Sequence, residues 1–111
     1  MEVRAVAKNI RRSPKKVRMA LDTVRGKSVD EAIAILRFLP HGAAPEILSV
    51  VKSAAANAEN NFQMAIEDLY IKKIYADEGV VFKRFRARSR GMASPILKRS
   101  SHITVIVEER E

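Results

Sequence analysis

The feature that most constrains this chain is a basic stretch that contains no acidic residue and has strand-like sequence at both ends. Between Gly79 and Val107 there are seven lysines and arginines and no aspartate or glutamate. Residues 71–76 precede the stretch and residues 103–107 close it, and both segments have the apolar pattern of β-strands. A like-charged run is often a solvated or disordered tail. A run held by strands on both sides is instead predicted to be an arm of a folded domain.

The remaining charge is also unevenly distributed. The 111 residues carry a formal net charge of +8, and residues 1–27 alone contribute +7, whereas residues 28–78 carry −4. The balance of the middle segment is typical of the solvated surface of a folded core. Two separate basic blocks indicate a partner that is a polyanion.

The spacing of apolar residues predicts three helices. The first starts at Ser13-Pro14, which is typical of a capped helix start, and runs to about Arg25. The second runs from the capping box of Ser28 and Glu31 to Pro40. The third follows the turn at residues 41–42 and continues through Asn61.

Three segments have the alternating pattern of strands: residues 3–8, 69–76 and 102–107. In the second, residues 69 and 71 share one parity whereas residues 74 and 76 share the other, which predicts a β-bulge around Lys72-Lys73. The order of elements predicts an α+β fold in which three helices pack on a small antiparallel three-stranded sheet. Residues 1–111 are interpreted as a single domain, with residues 79–102 forming a long, protruding, basic β-hairpin.

The basic residues around the first helix are candidates for binding phosphate. Lys15 and Lys16 lie in the first turn, where the helix dipole disfavours positive charge, so a function other than stability is predicted for them. A phosphate there would meet free amides, the dipole and the lysines together. Like Lys15 and Lys16, Arg18 lies off the apolar stripe and is predicted to contribute little to stability. The alternative is a merely solvated basic face. The candidates are Arg11, Arg12, Lys15, Lys16, Arg18, Arg25 and Lys27.

The arm contains the second set of candidates. With its tip near residues 89–91, each strand would have about ten residues and the arm would project roughly 30 Å. An isolated two-stranded ribbon is marginal in water, so the arm is expected to be ordered by its partner. Arginines without acidic partners predict phosphate contacts, and Phe82 and Phe85 are available either for bases or for packing at the base of the arm. The basic candidates are Lys83, Arg84, Arg86, Arg88, Arg90, Lys98 and Arg99.

Several classes of function are disfavoured. The chain has no cysteine, which excludes disulfides and thiolate metal sites. His41 and His102 have no sequence-local partner at metal or triad spacing, so no cofactor, metal or catalytic residue is predicted. No apolar run has the length of a membrane span, and no membrane partner is expected. Two binding alternatives remain: an architectural DNA-binding protein with a basic β-arm, and a basic protein on an anionic membrane surface.

Three stretches of the sequence resemble the family of bacterial large-subunit ribosomal protein number twenty-two. They are residues 13–29 (SPKKVRMALDTVRGKSV), residues 53–61 (SAAANAENN), and residues 77–79 (DEG) together with residues 83–84 (KR) and 98–105 (KRSSHITV). The resemblance implies a non-enzymatic, cytoplasmic component of the ribosome that is monomeric within it. It also implies binding to large-subunit rRNA, contacts with neighbouring ribosomal proteins, a role in subunit assembly, and an arm that reaches the nascent polypeptide in the exit tunnel. It adds Ser101 and His102 to the RNA-binding candidates.

The arm departs from the pattern of that family at four positions. Ala87 and Ser89 stand where proline and alanine are expected, and Met92 and Pro95 stand where the family has arginines. The RNA contacts that the resemblance implies therefore apply to Lys83, Arg84 and the other matching basic residues.

Overall fold

The described part of the chain folds into three helices, a three-stranded sheet and a separate two-stranded hairpin. A computed structural model describes residues 2–79, 82–87 and 93–109. The helices are α1 (Pro14–Leu21), α2 (Val29–Phe38) and α3 (Ala44–Phe62). The strands are β1 (Glu2–Ile10), β2 (Leu69–Glu78), β3 (Phe82–Ala87), β4 (Ala93–Lys98) and β5 (Ser101–Glu109), and a short 3₁₀ turn (Ile66–Asp68) precedes β2.

The three-stranded sheet is antiparallel and has the order β1-β5-β2. The central strand β5 pairs with β1 along one edge and with β2 along the other. At the start of β5, Ser101 lies opposite both Ile10 of β1 and Glu78 of β2. The chain therefore leaves β1 toward α1 and leaves β2 toward the hairpin at the same end of the sheet.

The helices cover one face of this sheet and form the core with it. The inward side chains of β5, Ile103, Val105 and Val107, are fully buried, as is Val17 of α1. In α3 the buried residues recur at helical spacing, from Ile47 to Ala58. This arrangement confirms the predicted α+β fold, because apolar residues of helices and strands share a single interior.

The predicted bulge is present in β2. The register with β5 shifts between Ile71 and Lys73, and Leu69, Ile71, Ile74 and Ala76 are all buried. If β2 alternated regularly through Lys72, the change of parity would turn one half of these side chains to the other face of the sheet. The bulge at Lys72 keeps all four in the core.

Helix α1 is shorter than predicted. It ends at Leu21 instead of near Arg25, and the chain continues through turns to Gly26, whose φ of 79° lies in the left-handed region that favours glycine. The Thr23 hydroxyl donates a hydrogen bond to the Ala20 carbonyl (2.7 Å) and the Val24 amide to the Leu21 carbonyl (3.1 Å), so three-residue turns replace the helix. Val24 is nevertheless fully buried, which explains why the apolar spacing predicted a longer helix.

The hairpin forms its own two-stranded antiparallel ladder. Phe82 pairs with Lys98 and Ala87 pairs with Ala93, with regular pairing between them. The predicted tip, residues 89–91, lies outside the described residues. The chain extends over 65 × 26 × 17 Å, and its Cα radius of gyration is 17.1 Å, against about 13 Å for a compact domain of this length. The elongation agrees with a protruding arm.

Deleting Lys72 is expected to be tolerated, because removal of the extra residue leaves the four buried residues of β2 in regular alternation, all facing the core. The control is Lys72→Ala, which removes the same ion pairs and keeps the bulge. Exposed ion pairs contribute little to stability, so both variants should melt close to the unmodified protein. Thermal and urea unfolding measure both, and a loss of about 3 kcal/mol or more for the deletion alone, the cost of exposing two apolar side chains, would show that the bulge itself is required.

Candidate nucleic-acid interface

The two basic blocks of the sequence meet at one end of the sheet. Because Ile10 and Glu78 both lie opposite Ser101, the segment that follows β1 and the base of the arm are neighbours in space. We call this the basic end. Its described cations that are exposed or half-exposed are Arg11, Arg12, Lys15, Lys16 and Arg99.

The start of α1 contributes the two lysines of this surface. Ser13 caps the helix, and its hydroxyl accepts a hydrogen bond from the Lys16 amide (3.4 Å). Pro14 and Val17 are buried, which anchors the first turn, whereas the side chains of Lys15 and Lys16 are exposed. Within the described part of the chain, neither lysine forms an ion pair. Both charges are therefore available to a ligand at the positive end of the helix dipole.

Arg12 joins the basic end to the start of α3. Its Nε donates to the Glu46 carboxylate at 3.2 and 3.3 Å, and its guanidinium lies against Gly42, where an added Cβ would be 2.8 Å from Nη1. The Arg12 carbonyl also accepts a hydrogen bond from the Ser101 hydroxyl. Arg12 is thus partly neutralised and has a role in the fold that the sequence pattern did not reveal. Its side chain is still 40% exposed.

Two of the predicted RNA-binding arginines protect the open edge of β2. Arg18 donates to the Ala76 carbonyl from Nη2 (2.8 Å) and Nε (3.2 Å), and Arg25 donates to the Ile74 carbonyl (3.0 Å) and forms an ion pair with Asp22. Further along the same edge, the Ile71 amide donates to the Lys27 carbonyl (2.9 Å). An unpaired strand edge is a site of unwanted pairing, and this segment covers it.

These contacts also separate the predicted residues in space. Helix α1 and the turn after it run along β2 from Ala76 toward Ile71, away from the basic end. Lys27 consequently lies near the opposite end of the sheet, although its side chain is exposed. The Arg18 guanidinium is bonded to the backbone of β2, so this side chain has a role in the fold that its position off the apolar stripe did not predict.

The base of the arm contains the remaining described candidates. Ser101 is fully buried and donates to the Arg12 carbonyl, so its hydroxyl stabilises the fold. His102 is half-buried beside Gly79, and the Gly79 amide donates to the Ser100 carbonyl (2.9 Å). Two carboxylates, Asp77 and Glu78, are also exposed here.

The backbone ladder holds four of the arm's basic candidates. Lys83, Arg84 and Arg86 belong to β3, and Lys98 belongs to β4. Arg88 and Arg90 lie outside the described residues. The arm thus adds further basic residues to those of the basic end, on two strands that are paired along their length.

The other end of the sheet is acidic. Lys72 bridges two carboxylates there, those of Glu2 and Glu108, the latter at 2.9 Å. The hydrogen bonds to Glu2 and Glu108 raise the pKa of Lys72, and the hydrogen bond from Lys72 lowers the pKa of Glu2. The acidic end, as we use the term, comprises Glu2, Glu67, Asp68, Glu108 and Glu109.

Other kinds of site were sought in the described ranges 2–79, 82–87 and 93–109. These residues contain no cluster of histidine, aspartate and glutamate suited to a metal ion. None of the described helices is both long and apolar enough to cross a membrane. His41 has a structural role, because its Nδ1 accepts a hydrogen bond from the Ala43 amide (3.0 Å) at the start of α3.

Comparison with known proteins matches the whole domain. The sequence profile of the family described as Ribosomal protein L22p/L17e matches residues 5–108. The large ribosomal subunit protein uL22 of Herpetosiphon aurantiacus is 57% identical over 111 residues, which are 100% of this chain and 98% of that protein. The proteins of the same name from Clostridium novyi and Roseiflexus castenholzii are 54% identical over 110 residues (99% of each chain) and 56% identical over 111 residues (100% of this chain, 98% of that one).

The α+β fold with its basic end and arm is accordingly that of a structural ribosomal protein, not of an enzyme. The chain belongs to the L22p/L17e family and is a component of the large ribosomal subunit in the cytoplasm. The family suggested by residues 13–29, by residues 53–61, and by residues 77–79, 83–84 and 98–105 is therefore confirmed.

Arg18→Ala and the double variant Lys15→Ala/Lys16→Ala are expected to differ in stability. Arg18→Ala removes two charge-assisted hydrogen bonds to the Ala76 carbonyl and should lower the unfolding free energy by on the order of 1 kcal/mol. The double variant removes two charges that oppose the helix dipole and should melt at the same temperature as the unmodified protein or slightly higher. Circular dichroism melts compare the two, and a larger loss for the double variant would contradict this assignment.

Proposed function

We propose that the protein binds large-subunit rRNA through its basic end and through the β3–β4 arm. The observation that carries this proposal is the position of the charge. Two acid-poor blocks, separated by about fifty residues of sequence, leave the sheet at the same end, where the five described cations of the basic end outnumber the two exposed carboxylates, Asp77 and Glu78. The described carboxylates of Glu2, Glu108 and Glu109 gather at the other end. RNA is a polyanion that would be attracted to the first end and repelled from the second.

The start of α1 is proposed to bind phosphate directly. Ser13 satisfies the Lys16 amide, and Pro14 has no N–H. In the described part of the chain the Lys15 amide has no hydrogen-bond partner, so it is free to donate to a phosphate oxygen. Lys15 and Lys16 add two charges at the same place. Arg11 and Arg99 are exposed nearby and would bind adjacent phosphates.

The arm is proposed to bind rRNA along its length. Lys83, Arg84, Arg86, Arg88, Arg90 and Lys98 supply cations without a carboxylate between residues 79 and 107. A projecting two-stranded ribbon reaches RNA that the globular domain does not touch. By its resemblance to the family, we propose that the arm contributes to the wall of the nascent-peptide exit tunnel and that the protein assists subunit assembly among neighbouring ribosomal proteins.

The set of RNA-binding residues differs from the sequence-based set in the roles given to five residues. Ser101 is fully buried and bonded to Arg12, so we assign it to the fold. Arg18 and Arg25 each use part of the guanidinium group to hydrogen-bond β2. They remain candidates for RNA binding only through their remaining N–H groups. His102, which is half-buried, and Lys27, which is exposed, remain peripheral candidates.

Binding to large-subunit rRNA is expected to weaken steeply with salt, and the slope should depend on which lysines are present. Each phosphate contact contributes roughly 0.7–0.9 to the slope of log affinity against log salt. Lys15→Ala/Lys16→Ala should therefore lower the slope by about 1.5. The matched control is Lys52→Ala/Lys73→Ala, which removes two exposed lysines from α3 and β2 and should leave the slope nearly unchanged.

Filter-binding or fluorescence titrations over a range of salt concentrations measure these slopes. Equal losses for the two double variants would show a diffuse attraction without a defined interface. Duplex DNA that competes as well as rRNA at matched salt would favour an architectural DNA-binding protein and would contradict the proposal.

A further inference from the structure

One large aromatic side chain is exposed in a way that the fold does not require. Four large apolar residues are exposed in the described part of the chain, and Phe38, at 82%, is the most exposed of them. It lies off the buried stripe of α2, which is formed by Val29, Ala32 and Leu36. A polar residue at position 38 would serve the fold equally well, so the ring is available for a partner.

Phe38 is located next to the basic end. It is the last residue of α2, and the loop that follows it contains Gly42, which contacts the Arg12 guanidinium. The adjacent Arg37 is exposed. In residues 37–46 the one carboxylate is Glu46, and it is already paired with Arg12. The segment that carries the ring therefore has one exposed cation, Arg37, and a loop that lies against a second, Arg12, whose charge is only partly neutralised.

The chemistry of this position suits a nucleobase better than a phosphate or a protein side chain. Phe38 lies at the C-terminus of α2, where the partial negative charge of the helix dipole disfavours a phosphate. A base that stacks on the ring avoids that charge, while the phosphates on either side of it meet Arg37 and Arg12. Single-stranded RNA is commonly bound in this way, by aromatic rings that stack bases beside cations that hold the backbone.

We propose that an unpaired base of the rRNA stacks on Phe38, as an extension of the basic end. This inference rests on the proposed function, because it takes the RNA as the polyanion bound there. A stacked base would increase the affinity for RNA but would leave the salt dependence of binding unchanged, because the ring carries no charge. Such a contact is distinguishable from those of Lys15 and Lys16, which contribute to both affinity and salt dependence.

The test compares Phe38→Ala, Phe38→Tyr and Phe62→Ala in titrations with large-subunit rRNA transcribed in vitro. Phe38→Ala should weaken binding roughly 5- to 150-fold, the range measured when a base-stacking ring is removed, with an unchanged salt slope and an unchanged melting temperature. Phe38→Tyr keeps an aromatic face and should bind as the unmodified protein does. Phe62 is the matched control, because it is also an exposed phenylalanine at a helix end (46%), about 24 Å along α3 from the Arg12–Glu46 pair.

The outcomes separate this inference from the proposed function. If Phe38→Ala binds rRNA as tightly as Phe62→Ala does, and the unmodified protein binds with a steep salt slope, the stacking contact alone would be overturned. Normal rRNA binding by Phe38→Ala together with poor incorporation into subunits would assign the ring to a neighbouring protein and would also overturn it. Weak, salt-independent binding by the unmodified protein would instead contradict the proposed function.

Discussion

The pairing of β5 with two strands at once is the constraint on which the rest of the structure depends. Its buried side chains, Ile103, Val105 and Val107, meet the helices on one face, and its backbone fixes the positions of β1 and β2. Because β5 begins at Ser101, opposite both Ile10 and Glu78, the chain must turn toward α1 and toward the arm at the same end. The register of one strand thereby joins two basic blocks that are distant in sequence.

The two ends of the sheet differ in how their charges are balanced. At the acidic end, Lys72 is held between Glu2 and Glu108, so a cation there is neutralised within the fold. At the basic end, Lys15 and Lys16 have no ionic partner among the described residues. Gathering like charges without partners opposes stability modestly, and the fold tolerates it because the apolar core supplies the stability. An anionic ligand would remove that repulsion.

The edge of β2 shows how positive residues serve the fold as well as a ligand. Arg18 and Arg25 cap backbone carbonyls of Ala76 and Ile74, which closes a strand edge that would otherwise be exposed. A planar guanidinium group suits this task because it carries several N–H donors. These donors bind backbone carbonyls directly, without a carboxylate. The basic sequence of residues 11–27 therefore contains two groups with different roles, and only the structure separates them.

The sequence predicted the fold in most of its parts because the relevant signals are local. The parity change between Ile71 and Ile74 located the bulge, and the capping residues Ser13 and Ser28 located two helix starts. The length of α1 was overestimated, since Val24 is buried by a turn as completely as a helix would bury it.

The long-range contacts were not predictable in this way. The hydrogen bonds of Arg18 to Ala76, of Arg12 to Glu46 and of Ser101 to Arg12 join residues 34 to 89 positions apart. No periodicity or motif in one sequence encodes such partners. The exposure of Phe38 was equally hidden, because composition alone does not tell a surface ring from a core one.

The most direct test of the interface is crosslinking within assembled ribosomes. The chain contains no cysteine, so single substitutions Lys15→Cys, Arg99→Cys and Glu67→Cys each provide one attachment point for a short photoreactive probe. We expect crosslinks to large-subunit rRNA from positions 15 and 99, at the basic end, and few or none from position 67, at the acidic end. Efficient crosslinking from position 67 together with none from positions 15 and 99 would contradict the proposed interface.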